Sequence, residues 1–174
     1  MADSNRDRIN PSLLDRLTDE EPGNAAQRGG ASVSLSELRR SVLRDLNWLF
    51  NASQFMRAEQ LEAWPQVRNS VVNYGLPPLS GLTASGLDVV QLERTLRRAI
   101  IDFEPRILPD SISVKAELER DSLDHHNVLS LRIEGLLWAQ PVPIELLLRS
   151  QFDLESGQNR VDEATLGGSV TGRR

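Results

Sequence analysis

The fold class is decided by residues 89–118, which read VVQLERTLRRAIIDFEPRILPDSISVKAEL. In the first half, apolar residues recur at the three- and four-residue steps of an amphipathic helix. Pro105 ends that helix, because the residue before a proline avoids the α region. From Ile112 to Leu118, apolar and polar residues alternate, as in a half-buried strand. The stretch therefore predicts a helix from about Asp88 followed by a strand.

The same two periods divide the rest of the chain. Ser34 and Glu37 match a capping box, and the apolar stripe that follows them predicts a helix that stops at Asn51. Residues 54–85 predict one or two helical turns or an irregular packed segment, and Gly75 and the two prolines after it rule out a regular element near its end. Further alternation predicts three more strands, the last of them around Val161. Helices first and an antiparallel meander after them predict an α+β fold, with the N-terminal helices packed on one face of a C-terminal sheet.

Two local details are also predicted. Glu93 and Arg97 are four residues apart on the polar side of the second helix, which favours an exposed ion pair between them. Gly135 breaks the alternating pattern of the second strand.

Three regions are predicted along the chain. Residues 1–33 are expected to be a flexible extension, residues 34–163 a domain and residues 164–174 a disordered tail. Within the extension, residues 11–17 form a short segment with one apolar helical face, made by Leu13, Leu14 and Leu17. Such a segment is too short to be a stable helix alone. It either packs as a turn on its own domain or is a docking peptide that becomes ordered on a partner.

Composition excludes several classes of function. The chain has 174 residues, a formal net charge of −5 and no cysteine, so it has neither disulfides nor thiolate metal sites. Its mixed charges lack the basic stripe that nucleic-acid binding requires. There is no apolar run of about 20 residues to cross a bilayer, and no signal-peptide run at the start. The protein is therefore expected to stay in the cytoplasm, without direct membrane contact.

The search for catalytic chemistry finds little. The two histidines, His125 and His126, are adjacent in a predicted turn, where their side chains point in opposite directions. Glu104 is the best candidate for a catalytic acid, but Arg106 lies only two residues later, and no second carboxylate is marked out. The sequence therefore predicts no catalytic, cofactor or metal site.

The triplet Glu104-Pro105-Arg106 places opposite charges around a rigid bend. One interpretation is a helix stop with an incidental surface ion pair, which contributes little energy. The other is a fixed carboxylate and a forked guanidinium that bind polar groups of a partner.

Three motifs in order carry a family resemblance: LRDLNWLFN at residues 43–51, VNYGLP at residues 72–77 and FEPRI at residues 103–107. Together they resemble the small baseplate-wedge family of contractile injection machines, and within it the type VI secretion members. The resemblance spans roughly residues 11–161. A lysozyme name is attached to the phage branch of the family, and no residues here justify it.

The resemblance implies a structural wedge subunit and not an enzyme. The triplet would lie in the loop that holds the other wedge proteins together, and an exposed edge of the sheet would accept strands of the first sheath ring by β-augmentation. The chain would be monomeric alone and repeated around a bacterial baseplate, which partners dock at the inner membrane. The alternatives are a peptidoglycan-cleaving enzyme and a generic adaptor. The implied protein-interaction residues are Glu104, Pro105, Arg106, Asn73, Tyr74, Gly75, Leu13, Leu14 and Leu17.

Overall fold

The computed structural model describes residues 12–18, 34–78, 88–117, 128–139 and 142–164. Helices occupy the N-terminal half, and a four-stranded antiparallel sheet follows, which confirms the predicted α+β fold. Short 3₁₀ turns lie at Ala58–Leu61, Val71–Asn73 and Pro109–Ser111. The helices and strands are α1 (Leu13–Leu17), α2 (Leu35–Asn51), α3 (Pro65–Arg68), α4 (Val89–Phe103), β1 (Ser113–Glu117), β2 (Val128–Leu137), β3 (Ile144–Asp153) and β4 (Asn159–Glu163).

The two long helices begin and end where the sequence predicts. At the start of α2, the Ser34 amide donates to Glu37 Oε2 at 2.6 Å, and the Glu37 amide donates to Ser34 Oγ at 3.2 Å. These two bonds form the predicted capping box, which satisfies free amides of the first turn. Asp88 caps α4 by accepting from the Gln91 amide at 3.0 Å. The helix ends at Phe103, two residues before Pro105.

The strands pair with their sequence neighbours in the order β1-β2-β3-β4. Val114, Ile133 and Leu148 lie side by side across three strands, and all three are buried. They belong to the sheet face that packs against α2 and α4. The opposite face carries charged side chains, such as the paired Arg132 and Glu134. One apolar core therefore joins the helices to one sheet face, and it includes Leu38, Val42, Leu46, Leu49, Leu92, Leu96, Ile100, Leu131, Leu146 and Phe152.

Gly135 breaks the alternating pattern of the sequence but does not end the strand. β2 continues through Gly135 to Leu137, which forms an isolated antiparallel bridge with Ile107. A Cβ atom at residue 135 would lie 2.9 Å from Ile107 Cγ2. The glycine therefore permits close packing of the loop after α4 instead of ending the strand.

Some predictions concern residues outside the described ranges. They include the turn with His125 and His126, the end of the first strand at Leu118, and the tail at residues 165–174.

Candidate functional site

The Glu104-Pro105-Arg106 triplet forms a closed ion pair within the chain. Glu104 follows the last residue of α4 and is only 3% exposed. Its Oε1 accepts from Arg106 Nε at 2.7 Å, and its Oε2 accepts from Arg106 Nη2 at 2.5 Å. The Arg106 amide adds a third bond to Oε1 at 3.1 Å. This bidentate pairing fixes the bend, and Pro105 between the two residues is exposed.

α2 completes the environment of the Arg106 guanidinium. Arg106 Nη2 donates to Asp45 Oδ2 at 2.5 Å, and Nη1 donates to Ser41 Oγ at 2.9 Å. Ser41 and Asp45 are one helical turn apart, so both point toward the same loop. The guanidinium thus links the loop after α4 to the middle of α2.

The charge cluster continues from Asp45 to the N-terminal segment. Asp45 Oδ1 accepts from Arg44 Nε at 2.9 Å, and Arg44 Nη1 donates to Asp15 Oδ1 on α1 at 2.7 Å. Arg44 also lies over the ring of Trp48, with 5.0 Å from Cζ to the ring centroid, a cation–π contact. We call Asp15, Arg44, Asp45, Glu104 and Arg106 the charge cluster.

Asp15 serves α1 in two ways. Besides pairing with Arg44, it forms a capping box with Ser12, in which the Asp15 amide donates to Ser12 Oγ at 3.2 Å and the Ser12 amide donates to Asp15 Oδ2 at 3.3 Å. The polar side of α1 therefore holds it against α2. Its leucines point outward: Leu13 is 71% exposed and Leu17 76%, with Leu14 exposed as well.

Tyr74 brings the second motif to the same place. Its hydroxyl donates to the backbone oxygen of Asp45 at 3.4 Å, and its ring meets Phe103 edge-on at 5.2 Å between centroids. Burial raises the pKa of the Tyr74 hydroxyl, and the nearby negative charges of Asp45 and Glu104 raise it further. The three motifs on which the family resemblance rests therefore meet around Asp45.

The neighbours of Tyr74 have structural contacts inside the chain. Asn73 is buried, and its Oδ1 accepts from the Met56 amide at 2.9 Å, which closes the loop of residues 56–73. Gly75 has a φ of 121°, a conformation that favours glycine. A Cβ atom there would lie 2.4 Å from the Ala52 oxygen. Asn73 and Gly75 thus hold the backbone beneath this surface in its conformation.

Electrostatics favour the charged state of Arg106. Burial by itself lowers the pKa of its guanidinium, but the hydrogen bonds and negative charges of Glu104 and Asp45 outweigh burial and raise that pKa above its ordinary value. The guanidinium is therefore charged at every pH at which the protein is folded.

This geometry bears on the enzyme alternative. Both carboxylate oxygens of Glu104 accept hydrogen bonds from Arg106, which is the arrangement of an ion pair and not of an acid that donates a proton to a substrate. Among the described residues, no group of three or more His, Asp or Glu side chains is placed to hold a metal ion.

Sequence reasoning missed Asp15 of α1 and, on α2, three further members of this site: Ser41, Arg44 and Asp45. The available signal was that these three lie on α2 beside the apolar stripe, with Arg44 and Asp45 inside the first motif. Polar residues at such positions usually face solvent. Here they face the loop after α4 and the segment α1.

The outer edge of β4 is occupied by two asparagines of α2. Asn47 Nδ2 donates to the Val161 oxygen at 3.0 Å, and Asn47 Oδ1 accepts from the Val161 amide at 3.0 Å. Asn51 makes the same pair of bonds with the backbone of Asn159, at 2.8 and 2.9 Å. A carboxamide has the donor and acceptor of a peptide group, so each asparagine pairs with β4 as a residue of another strand would.

The outer edge of β1 is contacted by α4. Glu93 Oε1 accepts from the Ala116 amide at 2.8 Å, and Arg97 Nε donates to the Ile112 oxygen at 3.0 Å. The predicted ion pair between Glu93 and Arg97 is therefore wrong. Both side chains bind the strand edge instead, because an unpaired backbone group near the helix is a stronger local partner than an exposed ion pair.

The described helices include none that is both long and apolar enough to span a membrane.

Comparison with known proteins places the chain in a family. A family model described as baseplate wedge protein gp25 matches residues 36–142, which is more than half of the 174-residue chain. The search of curated proteins found no match, and neither did the search of solved structures. The matched range contains all of the charge cluster except Asp15. The chain belongs to the gp25 family of baseplate wedge proteins, which are structural components of contractile injection machines.

Proposed function

We propose that the chain is the wedge subunit of a bacterial type VI secretion baseplate, of the type called TssE. In this role it binds other wedge proteins, links them to the first ring of the sheath and helps to nucleate sheath assembly. The observation that carries the proposal is the family match over residues 36–142, which contains the three motifs that meet around Asp45. The machine is cytoplasmic, and its baseplate is docked at the inner membrane through partners.

The loop of residues 104–106 presents a fixed surface, and not a free charge, to the partner at this interface. Its two charges are directed inward to each other and to α2, so the group that it offers to a partner is the exposed ring of Pro105. The charge cluster holds that ring in one position, which reduces the entropy lost on binding. A subunit repeated around a ring needs such a fixed contact in every copy.

The leucines of α1 offer a second contact. An isolated five-residue helix is not stable in water, but α1 is held by the bond from Asp15 to Arg44. Leu13, Leu14 and Leu17 are thereby presented on a preformed helical face, which fits an apolar groove between helices of a partner. Docking in this way leaves the core of the subunit unchanged.

These contacts are not self-complementary. The leucine face and the Pro105 loop each meet a different protein, so they form heterologous contacts that repeat around the baseplate axis. The isolated chain is accordingly a monomer. The link to the sheath is made by an extended sheath strand that adds to an edge of the sheet.

The test is recovery of partners from the native cell with tagged protein. Leu13→Ser/Leu17→Ser removes exposed apolar groups only, so we expect an unchanged melting temperature and loss of the wedge proteins identified by mass spectrometry. Val90→Ser, a similar change at an exposed apolar residue of α4, is the matched control and should recover them fully. Full recovery by the leucine variant would overturn the role of α1.

Glu104→Ala tests the loop. This variant leaves Arg106 without its main partner, so we expect both weaker recovery of wedge proteins and a lower melting temperature. Recovery at the wild-type level would favour the generic adaptor. If the wild-type protein itself recovers neither wedge nor sheath proteins, the proposed function is wrong.

A further inference from the structure

We propose that an incoming strand of the sheath adds to β1 and not to β4, and that Glu93 and Arg97 are the groups that it displaces. The inference rests on the proposed function, because it assumes that strand addition links this subunit to the sheath. It adds to that function which edge of the sheet is used and which side chains cover this edge in the free subunit.

β4 is closed by short side chains on a fixed helix. The carboxamides of Asn47 and Asn51 occupy four outward backbone groups, the N–H and C=O of Asn159 and of Val161. Each carboxamide also donates to its own helix, Asn47 to the Leu43 oxygen at 3.0 Å and Asn51 to the Asn47 oxygen at 2.7 Å. An asparagine side chain is short, so α2 itself stands where a fifth strand would lie beside β4.

α2 cannot move away from β4 at low cost. Its apolar stripe is in the centre of the core, where Val42 and Leu46 have no exposed surface. Moving the helix would open cavities against the sheet, and such cavities are strongly destabilising. Strand addition at β4 would therefore require partial unfolding of the core.

The outer edge of β1 is covered by fewer and longer side chains than the outer edge of β4. The bonds from Ala116 to Glu93 and from Ile112 to Arg97 occupy one N–H and one C=O of its outer edge. Because backbone groups alternate in direction along an antiparallel edge, Val114 between them also directs its N–H and C=O outward. Glu and Arg side chains have three or four rotatable bonds, so they can leave the edge while α4 stays in place.

Glu93 and Arg97 can bind each other once an incoming strand has displaced them from the edge. Glu93 precedes Arg97 by four residues on α4, the order in which an i,i+4 ion pair is favourable. An incoming strand would supply a carbonyl to the Ala116 amide and an amide to the Ile112 carbonyl. The displaced carboxylate and guanidinium would then bind each other. The exchange gives Glu93 and Arg97 a new partner, and Lys115, whose Nζ lies 3.7 Å from Glu93 Oε2 in the free subunit, is left to solvent.

Photo-crosslinking in the native cell tests the choice of edge. A photoreactive amino acid is placed at Lys115 on β1 or at Arg160 on β4, both on the charged outer face of an edge strand. We expect the Lys115 position to crosslink to the sheath protein that the wild type recovers, and the Arg160 position not to. Crosslinking from Arg160 alone would overturn the inference and leave the proposed function standing.

The remaining outcomes are also decisive. Recovery of the sheath protein without crosslinks from either position would overturn strand addition at both edges, and with it this inference. Failure to recover sheath and wedge proteins at all would instead count against the proposed function. The three results therefore identify which statement is wrong.

A pair of proline variants gives a second test. Ala116→Pro removes an outward N–H on β1, and Glu163→Pro removes an outward N–H on β4, while neither N–H takes part in the sheet ladder. We expect Ala116→Pro to reduce recovery of the sheath protein at least about tenfold, with wedge proteins still recovered. Glu163→Pro should recover the sheath protein like the wild type, and the reverse result would overturn the inference.

Discussion

Arg106 donates a hydrogen bond to Asp45 across 61 positions of sequence, with 2.5 Å between Nη2 and Oδ2. This contact ties the loop after α4 to the middle of α2. Asp45 binds a second guanidinium, that of Arg44, through its other oxygen. It is the one residue of the charge cluster that contacts both arginines, and the first prediction concerns it.

Asp45→Ala should reduce the free energy of unfolding by about 2–3 kcal/mol, because two partly buried guanidinium groups lose a shared carboxylate. Urea unfolding at pH 7 measures the change. Asp162→Ala is the control, since it breaks an exposed pair with Arg160 and should cost less than about 0.5 kcal/mol. Equal losses in the two variants would show that the charge cluster does not stabilise the fold.

Gly75→Ala should be one of the most destabilising alanine substitutions in the chain, by about 3 kcal/mol or more. The new Cβ atom would lie 2.4 Å from a backbone oxygen at a φ of 121°, so the main chain must shift. Gly135→Ala is the comparison, because its Cβ would meet a movable side-chain methyl at 2.9 Å. Thermal melts of both variants check the order, and a milder effect at Gly75 would contradict it.

The docking of α1 should depend on pH. Burial raises the pKa of Asp15, but the hydrogen bonds from Ser12 and Arg44 and the charge of Arg44 outweigh burial and lower that pKa below its ordinary value of 3.8. A lowered folded-state pKa means that the stabilisation is fully present above pH 3.8 and is lost as the pH falls through the lower folded-state value.

Backbone NMR signals of α1 measure this dependence. We expect the Asp15 and Thr18 amide signals to stay constant above about pH 5 and to move toward their unfolded positions in acid. In Asp15→Asn, the Thr18 amide signal should occupy its acid position already at pH 7. Signals of the variant that match the wild type at pH 7 would show that the Asp15–Arg44 bond does not hold α1.

Asn47→Ala and Asn51→Ala should expose the edge of β4 to solvent. Hydrogen exchange of the Val161 amide should accelerate at least about tenfold in the first variant, and that of the Asn159 amide in the second, because each amide loses the carboxamide oxygen that accepts its hydrogen bond. Asn69→Ala, at an exposed asparagine outside the sheet, is the control. Unchanged exchange at both amides would contradict the pairing.

The sequence was sufficient for most of the fold because its signals are local. The capping box at Ser34 and Glu37, the helix stop before Pro105 and the alternation in β1 each depend on residues a few positions apart. The role of Gly135 could not be read from the sequence, because a glycine that admits Ile107 to the sheet has the same letter as one that breaks a strand. Only the tertiary contact distinguishes the two.

The site was predictable in part. Glu104 and Arg106 were identified from the bend between them, yet Ser41 and Asp45 lie more than 60 positions away, beyond the reach of any local pattern. Glu93 and Arg97 satisfied the helix-pairing rule but found nearer partners on β1. The packing of a helix beside a strand edge decides such competition, and that packing is a property of the whole fold.

The position of α2 has a mechanical consequence. Its apolar stripe enters the core, Asp45 reaches the loop after α4, Arg44 reaches α1, and Asn47 and Asn51 reach β4. Tension applied to α1, to that loop or to β4 is therefore delivered to one 17-residue helix. Because these bonds surround α2, a force on any one of them is transmitted through the helix to the apolar core. We therefore expect the described part of the chain to move as a single body when a force acts on any one of these contacts.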